Sequence, residues 1–271
     1  MKLAIRIKHN PYAAHVNRDQ WLKVMVMILN DPRVKVYNDS AGNPYQSICG
    51  LFDDVIKENP THLLVLEDDV LPCFNFISTV EKIIKTLKNE PVTFFTNSKA
   101  INVALKDEIN WIRLKIWYYT QSYVMPFKLM GNMLSWIDKN VDDDARHSDD
   151  ERIAMYFYFH NRFVYATAPS LVEHIGWNSS SLKHDRPEEY MNSRDLRTAK
   201  KFIGVDKNPD EIDWTKTIKR AVFDYDDCGL EDHHILFQRL LKKSSLHKRT
   251  LKDEIKLSSS LRDKMVKMGL L

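Results

Sequence analysis

A chain of 271 residues that is 44% hydrophobic, 28% charged and 11% aromatic has the composition of an ordinary globular protein, which excludes a disordered or fibrous one. A net charge of +3 names no partner by itself, and no apolar run approaches the roughly 20 residues of a membrane span. Three scattered cysteines, Cys49, Cys73 and Cys228, show no metal-type spacing and suit a reducing compartment. The opening stretch MKLAIRIKHNPY is too short and too charged for a signal peptide, so the expected location is cytoplasmic.

In chain order, LAIRIKHN sets Leu3, Ile5 and Ile7 against Lys2, Arg6 and Lys8, the alternation of a first strand. DQWLKVMVMILN has helical apolar spacing, with Asp19 near its start as a candidate cap. RVKVYNDS predicts a second strand ending in a turn, QSICGLFDDVIKEN a second helix stopped by Pro60, and THLLVLEDDV a third, strongly hydrophobic strand. A helix (FISTVEKIIKTLKNE) and a strand (PVTFFTNS) follow. WIRLKIWYYTQSYVMP supplies one or two more strands, and FKLMGNMLSWIDKN and RIAMYFYFHN two helices. FVYATAPSLVEHIG is strand-like, and WNSSSLKHDRPEE is a polar loop. Strands alternating with helices predict an α/β fold with a mostly parallel sheet flanked by helices. Residues 1–186 form the expected sheet domain and 187–271 a basic, helical C-terminal region. From Arg239 onward, ten basic residues face Asp253, Glu254 and Asp263, leaving +7. Such a tail is either a solvated helix surface or a contact for nucleic acid or anionic membrane.

Three polar stretches follow strands: EDD at 67–69, HSDDE at 147–151 and EHIGWNSSS at 173–181. In parallel sheets, ligands gather beyond the carboxyl ends of strands. Asp68 and Asp69 offer the carboxylate oxygens that Mg²⁺ or Mn²⁺ takes while keeping positions for substrate phosphates. Adjacent side chains on a strand point to opposite faces, which would send one to a metal and the other to a ribose hydroxyl or a water. The plain alternative is a solvated turn. Asp149 and Asp150 are either a helix cap or a general base. His174 is either a buried structural histidine or a ligand, with the nearby serines able to meet phosphate oxygens. The chain has seven glycines, and neither glycine-rich phosphate cradle occurs, so a nucleotide diphosphate would be held by acids, a metal and hydroxyls instead.

Together these stretches resemble the glycosyltransferases of the GT-A fold over about 185 residues in the right order. LEDDV is similar to the DxD-like motif that closes a strand in that family, although Glu67 stands where many relatives have Asp. LPCFNF resembles the proline and aromatic residues that follow the motif, and QSYVMPFKLMGNMLSWI the strand and helix on the acceptor side. HSDDERIAMYF is similar to the later acidic motif. PSLVEHIGWNSSS is similar to a PSLxxHxGxxS segment of some N-acetylglucosaminyltransferases and related virus-encoded enzymes. The resemblance implies Mn²⁺ or Mg²⁺ on Asp69 and His174, with Asp68 near the metal and the ribose of a UDP-sugar. It further implies Ser179 and Ser180 beside the phosphates, Asp150 or else Asp149 as catalytic base, and Arg6 and Asp39 in the nucleotide region. Compact phage enzymes of this kind glycosylate hydroxymethylated bases, and the basic tail then suggests duplex DNA as acceptor. The alternative acceptor is lipopolysaccharide, capsule or another surface glycan.

Overall fold

The computed structural model describes residues 1–11, 18–40, 43–118, 120–142, 149–175, 198–224 and 237. The first strand, β1 (Leu3–His9), leads to helix α1 (Arg18–Leu29), β2 (Val34–Asn38), α2 (Pro44–Ile56) and β3 (His62–Glu67). Capping fixes the start of α2: Asn43 Oδ1 accepts from the Tyr45 and Gln46 amides at 2.9 and 3.3 Å, and Pro44 fits the first helical position. Its Ile48, Leu51 and Val55 are buried, the spacing that presents one face to a core.

Beyond β3 come β4 (Val70–Pro72), α3 (Phe76–Thr86), β5 (Val92–Thr93), α4 (Ala100–Lys106), β6 (Trp111–Leu114) and β7 (Ser122–Pro126). They are followed by α5 (Phe127–Asn140), α6 (Asp149–Phe159), β8 (Val164–Thr167), β9 (Val172–His174) and β10 (Val222–Asp224). Eight strands form one sheet in the order β10-β6-β8-β5-β7-β3-β1-β2, and β4 and β9 form a separate ribbon. Strand β1 runs parallel to β2 and β3, whereas β7 is antiparallel to both its neighbours, β3 and β5. The result is the expected α/β architecture, mostly parallel and flanked by helices.

Alternation along the strands divides the core. Leu63 and Val65 of β3 pack with α2, α5 and α6 on one face, while Leu64 and Leu66 pack with α1 and α3 on the other. Helix α4 and strand β10 carry no counterpart among the predicted elements. Residues 198–224, placed in a helical extension by the sequence reading, instead contain two 3-10 turns (Pro209–Glu211 and Ile218–Arg220) and β10, which pairs with β6. Trp214 anchors this segment: its ring meets Trp111 edge-on with centroids 5.6 Å apart, and its carbonyl accepts from Trp111 Nε1 at 2.8 Å. Core packing outweighs helix propensity over this stretch. The main sheet therefore draws a strand from beyond residue 186. Among the described residues no helix is long and apolar enough to cross a membrane. Cys73 is buried, and burial pushes its thiol up to about 12, the behaviour of an inert core side chain.

Candidate functional site at the carboxyl end of the third strand

The parallel pairing of β1 and β3 sets Lys8 beside Glu67. Just past the strand, the Asp68 amide donates to Lys8 O at 3.1 Å, which turns the chain. Asp68 and Asp69 occupy that turn rather than the strand. Strand alternation therefore does not govern them, and the expectation of opposite faces is corrected: one guanidinium reaches both carboxylates. Arg18, the first residue of α1, donates from Nη1 to Asp68 Oδ1 and from Nη2 to Asp69 Oδ2, the latter at 3.0 Å.

Asp68 is fully enclosed. Its Oδ2 accepts from the Asn10 amide at 2.9 Å and lies 2.7 Å from His9 Nδ1. The other His9 ring nitrogen is 3.0 Å from Asp19 Oδ1. Burial pushes the Asp68 carboxyl up, with Arg18 opposing. Asp69 is placed by the β4–β9 ribbon, in which Val70 is the register partner of His174 and the Ile175 amide donates to Asp69 O at 2.9 Å. His174 Nε2 comes within 3.4 Å of Asp69 Oδ2, and Phe95 meets the imidazole edge-on. Burial alone would raise the Asp69 carboxyl, but His174 and Arg18 outweigh it and hold the group down at about 2. Its second oxygen, Oδ1, is buried and has no hydrogen-bond partner.

A second carboxylate group lies on the α6 face. Glu67, still on the strand, points to the side of Leu63 and Val65. There Lys8 Nζ stands 3.5 Å from Glu67 Oε1 and 3.3 Å from Asp149 Oδ2. Burial would lower the Lys8 ammonium, yet Asp149 and Glu67 hold it well above its ordinary value. Asp149 and Asp150 occupy the first turn of α6, where helix-dipole charge favours acids, and Asp149 Oδ1 accepts from the Asp150 amide at 3.1 Å. Asp150 Oδ1 accepts from the Thr120 hydroxyl. Burial, and next the Asp149 charge, push the Asp150 carboxyl well above the ordinary carboxylate range; burial likewise pushes Glu67 up. Tyr123 OH and Gln121 Oε1, on the strand beside β3 and just before it, are buried without a partner. Unpaired buried polar atoms are costly and call for an explanation.

The structure thus brings together Asp68, Asp69 and His174, and near them Asp149 and Asp150. Asp39 lies at the same sheet edge, its amide donating to His9 O at 2.8 Å. Arg6 does not join them. In mid-strand it faces α2, where Nε donates to Asp54 Oδ2 at 2.6 Å and Nη2 to Glu58, so the nucleotide-region expectation for Arg6 gives way to a structural ion-pair cluster. Ser179, Ser180 and the basic tail lie outside the described residues. Lys8, His9, Arg18 and Thr120 belong to the site and were not predicted for it. The groove lined by Cys49, Phe52, Asp53 and Gly131 contains none of the predicted site residues.

Carboxylate oxygen and water suit both Mn²⁺ and Mg²⁺. Among the described residues no three His, Cys, Asp or Glu side chains form a metal cage. The protein would contribute Asp69, through its unpartnered oxygen, and His174. Such a short donor set fits a cation whose other positions go to water and substrate phosphates.

The fold and site thus define a mixed α/β protein with an acidic centre at the end of a central strand. No protein-family model and no curated protein matches the chain. Among solved structures it is similar to A197 from STIV, with TM-score 0.41 and 14% identity over 64% of this chain and 85% of that one. It is also similar to S. aureus TarS 1-349 (TM-score 0.37, 11% identity, 62% of this chain and 58% of that one). For S. aureus TarS the figures are TM-score 0.35, 12% identity, 61% of this chain and 36% of that one. At these scores the functional reading rests on the chain's own residues.

Proposed function

We propose that this protein is a metal-assisted glycosyltransferase that moves a sugar from a UDP-sugar to a hydroxyl acceptor. The observation that carries the reading is Asp69 Oδ1, a buried carboxylate oxygen left without a partner at the end of a central strand. A divalent cation there would neutralise charge on the departing diphosphate. Asp69 and His174 would hold it, while Asp68, locked by His9, Asn10 and Arg18, fixes the turn and would lie on the ribose side. Asp150 is the proposed base, with Asp149 as its alternate. Burial and the Asp149 charge raise its proton affinity, which makes the ionised carboxylate a stronger acceptor of a hydroxyl proton, and Thr120 fixes its orientation. Ser179 and Ser180 would meet the phosphates.

The proposed acceptor is a hydroxymethylated pyrimidine in duplex DNA, on the strength of the ten basic residues from Arg239 to Lys267. They would hold the phosphate backbone while the base is turned outward. The test is incubation of UDP-sugars and Mn²⁺ with hydroxymethylcytosine DNA, hydroxymethyluracil DNA and a glycan extract. Sugar transfer to either DNA that is lost in Asp69→Ala supports the whole reading. Transfer to the glycan alone moves the acceptor to a surface polymer. Full activity in Asp69→Ala sinks the metal assignment, and no transfer or donor hydrolysis with any UDP-sugar sinks the enzyme reading.

A further inference from the structure

Arg18 stands between the two carboxylates of the turn. Asp68 has no room for another partner: Oδ2 is taken by Asn10 and His9, and Oδ1 by Arg18 Nη1. Asp69 is held more loosely, since Oδ2 meets Arg18 Nη2 at 3.0 Å and His174 Nε2 at 3.4 Å, and Oδ1 meets nothing. Arg18 itself is buried at the first residue of α1, so a shift of its side chain away from Asp69 acts directly beside that first turn. We infer that Arg18 is a resident counter-cation which a divalent metal displaces from Asp69, coupling metal loading to the first turn of α1. This rests on the metal-assisted reading above.

The physical reason is competition of like charges. A guanidinium cannot be deprotonated to make way, and a divalent ion bound at roughly 2.0–2.6 Å to an Asp69 oxygen would face it across one carboxylate in a site with little water. Asp68 offers Arg18 a stronger anchor, so the Asp69 contact is the one that yields. Arg18 is thus a positioning residue: it keeps Asp68 and Asp69 convergent before metal arrives and lowers the affinity of the cation that replaces it.

The test is a Mn²⁺ titration of the full chain without donor, followed by calorimetry, for wild type, Arg18→Met and Arg18→Lys. Arg18→Met should bind Mn²⁺ at least about tenfold more tightly, about 1.4 kcal/mol, and Arg18→Lys should stay close to wild type. A merely structural arginine predicts weaker binding in Arg18→Met, so equal or weaker binding overturns the inference. Hydrogen exchange on the unaltered chain gives an independent readout. Mn²⁺ should speed exchange of the Leu22–Met25 amides at the start of α1, and unchanged protection there overturns the coupling even if Arg18→Met fails to fold. Equal Mn²⁺ affinity in all three proteins removes this inference and leaves the metal-assisted reading standing. Absence of Mn²⁺ binding in all three removes both.

Discussion

Replacing Lys8 by methionine would leave Glu67, Asp149 and Asp150 facing one another without their shared cation. The ammonium lies 3.3 Å from Asp149 and 3.5 Å from Glu67. At an effective dielectric of about 20, each contact is worth about 5 kcal/mol before desolvation is counted. Breaking a fully buried pair by removing one partner costs about 3–5 kcal/mol. The side chains of Lys8, Asp149 and Glu67 are 17%, 9% and 24% exposed, so solvent screens part of that cost. The expected loss for Lys8→Met is therefore about 2–3 kcal/mol. Urea denaturation measures it, and its pH dependence gives the sign. Glu67 and Asp150 already have raised carboxyls, and Lys8 is among the groups lowering both. Without Lys8 they rise further, so the folded variant binds protons that the unfolded chain has released. Its deficit should then be largest at about pH 8 and shrink at about pH 5. Adding Glu67→Gln should restore part of the loss. A Lys8→Met variant within about 0.5 kcal/mol of wild type at about pH 8, the range of a neutral surface change, would refute the buried bridge.

Asp150→Asn should cut transfer at least about 100-fold as the base is lost. It should also raise thermal stability: the folded carboxyl holds a proton that the unfolded one sheds as pH rises, a penalty absent from the amide. A higher melting point at about pH 8 is expected by calorimetry, and a lower one would contradict the raised carboxyl. Asp69 behaves oppositely. Held at about 2 against an ordinary 3.8, it contributes about 2 kcal/mol above about pH 4 that is lost as pH falls through about 2. Stability profiles of wild type and Asp69→Asn should therefore converge in acid, and parallel profiles would deny the interaction with His174 and Arg18. Trp214→Ala should cost about 3–5 kcal/mol, and a cost below about 1 kcal/mol, measured by urea denaturation, would mean that 198–224 is not anchored through Trp111.

The alternation of β1 and the dense apolar run of β3 made the strand–helix order legible, because each follows from local period. Asp69 and His174 were legible as residue types able to bind metals, placed at or just past strand ends. Arg18 was not, since its pairing with Asp68 spans fifty residues of sequence and is set by the approach of α1 to a turn. Lys8 was legible only as the polar phase of an alternating strand. Its position as the last-but-one residue of β1, beside the end of β3, was the available signal: parallel neighbours bring their carboxyl ends together. The same logic explains Arg6. Two residues earlier on the same face, it cannot reach the strand end and meets Asp54 and Glu58, which lie four apart on α2 and at its end, one helical turn on a single face. The antiparallel β7 escaped because strand direction depends on long-range pairing.

Among the described residues, five carboxylates, on Glu67, Asp68, Asp69, Asp149 and Asp150, converge on one strand end, with Lys8 and Arg18 as the permanent cations paired to them. Such an excess of negative charge cannot stay fully ionised in a partly buried site. Two remedies exist, a proton or an added cation, and the two halves of the site differ in which one they favour. On the α6 face Asp149 and Asp150 adjoin, Lys8 is already shared, and the excess raises the proton affinity of Asp150. In the turn, Arg18 and His174 keep Asp69 ionised down to about 2, so at Asp69 the environment favours positive charge over a proton. One strand end thus separates a group suited to moving a proton from a group suited to holding a cation. The divider is a single step along the chain, because Glu67 is still on the strand and Asp68 is not.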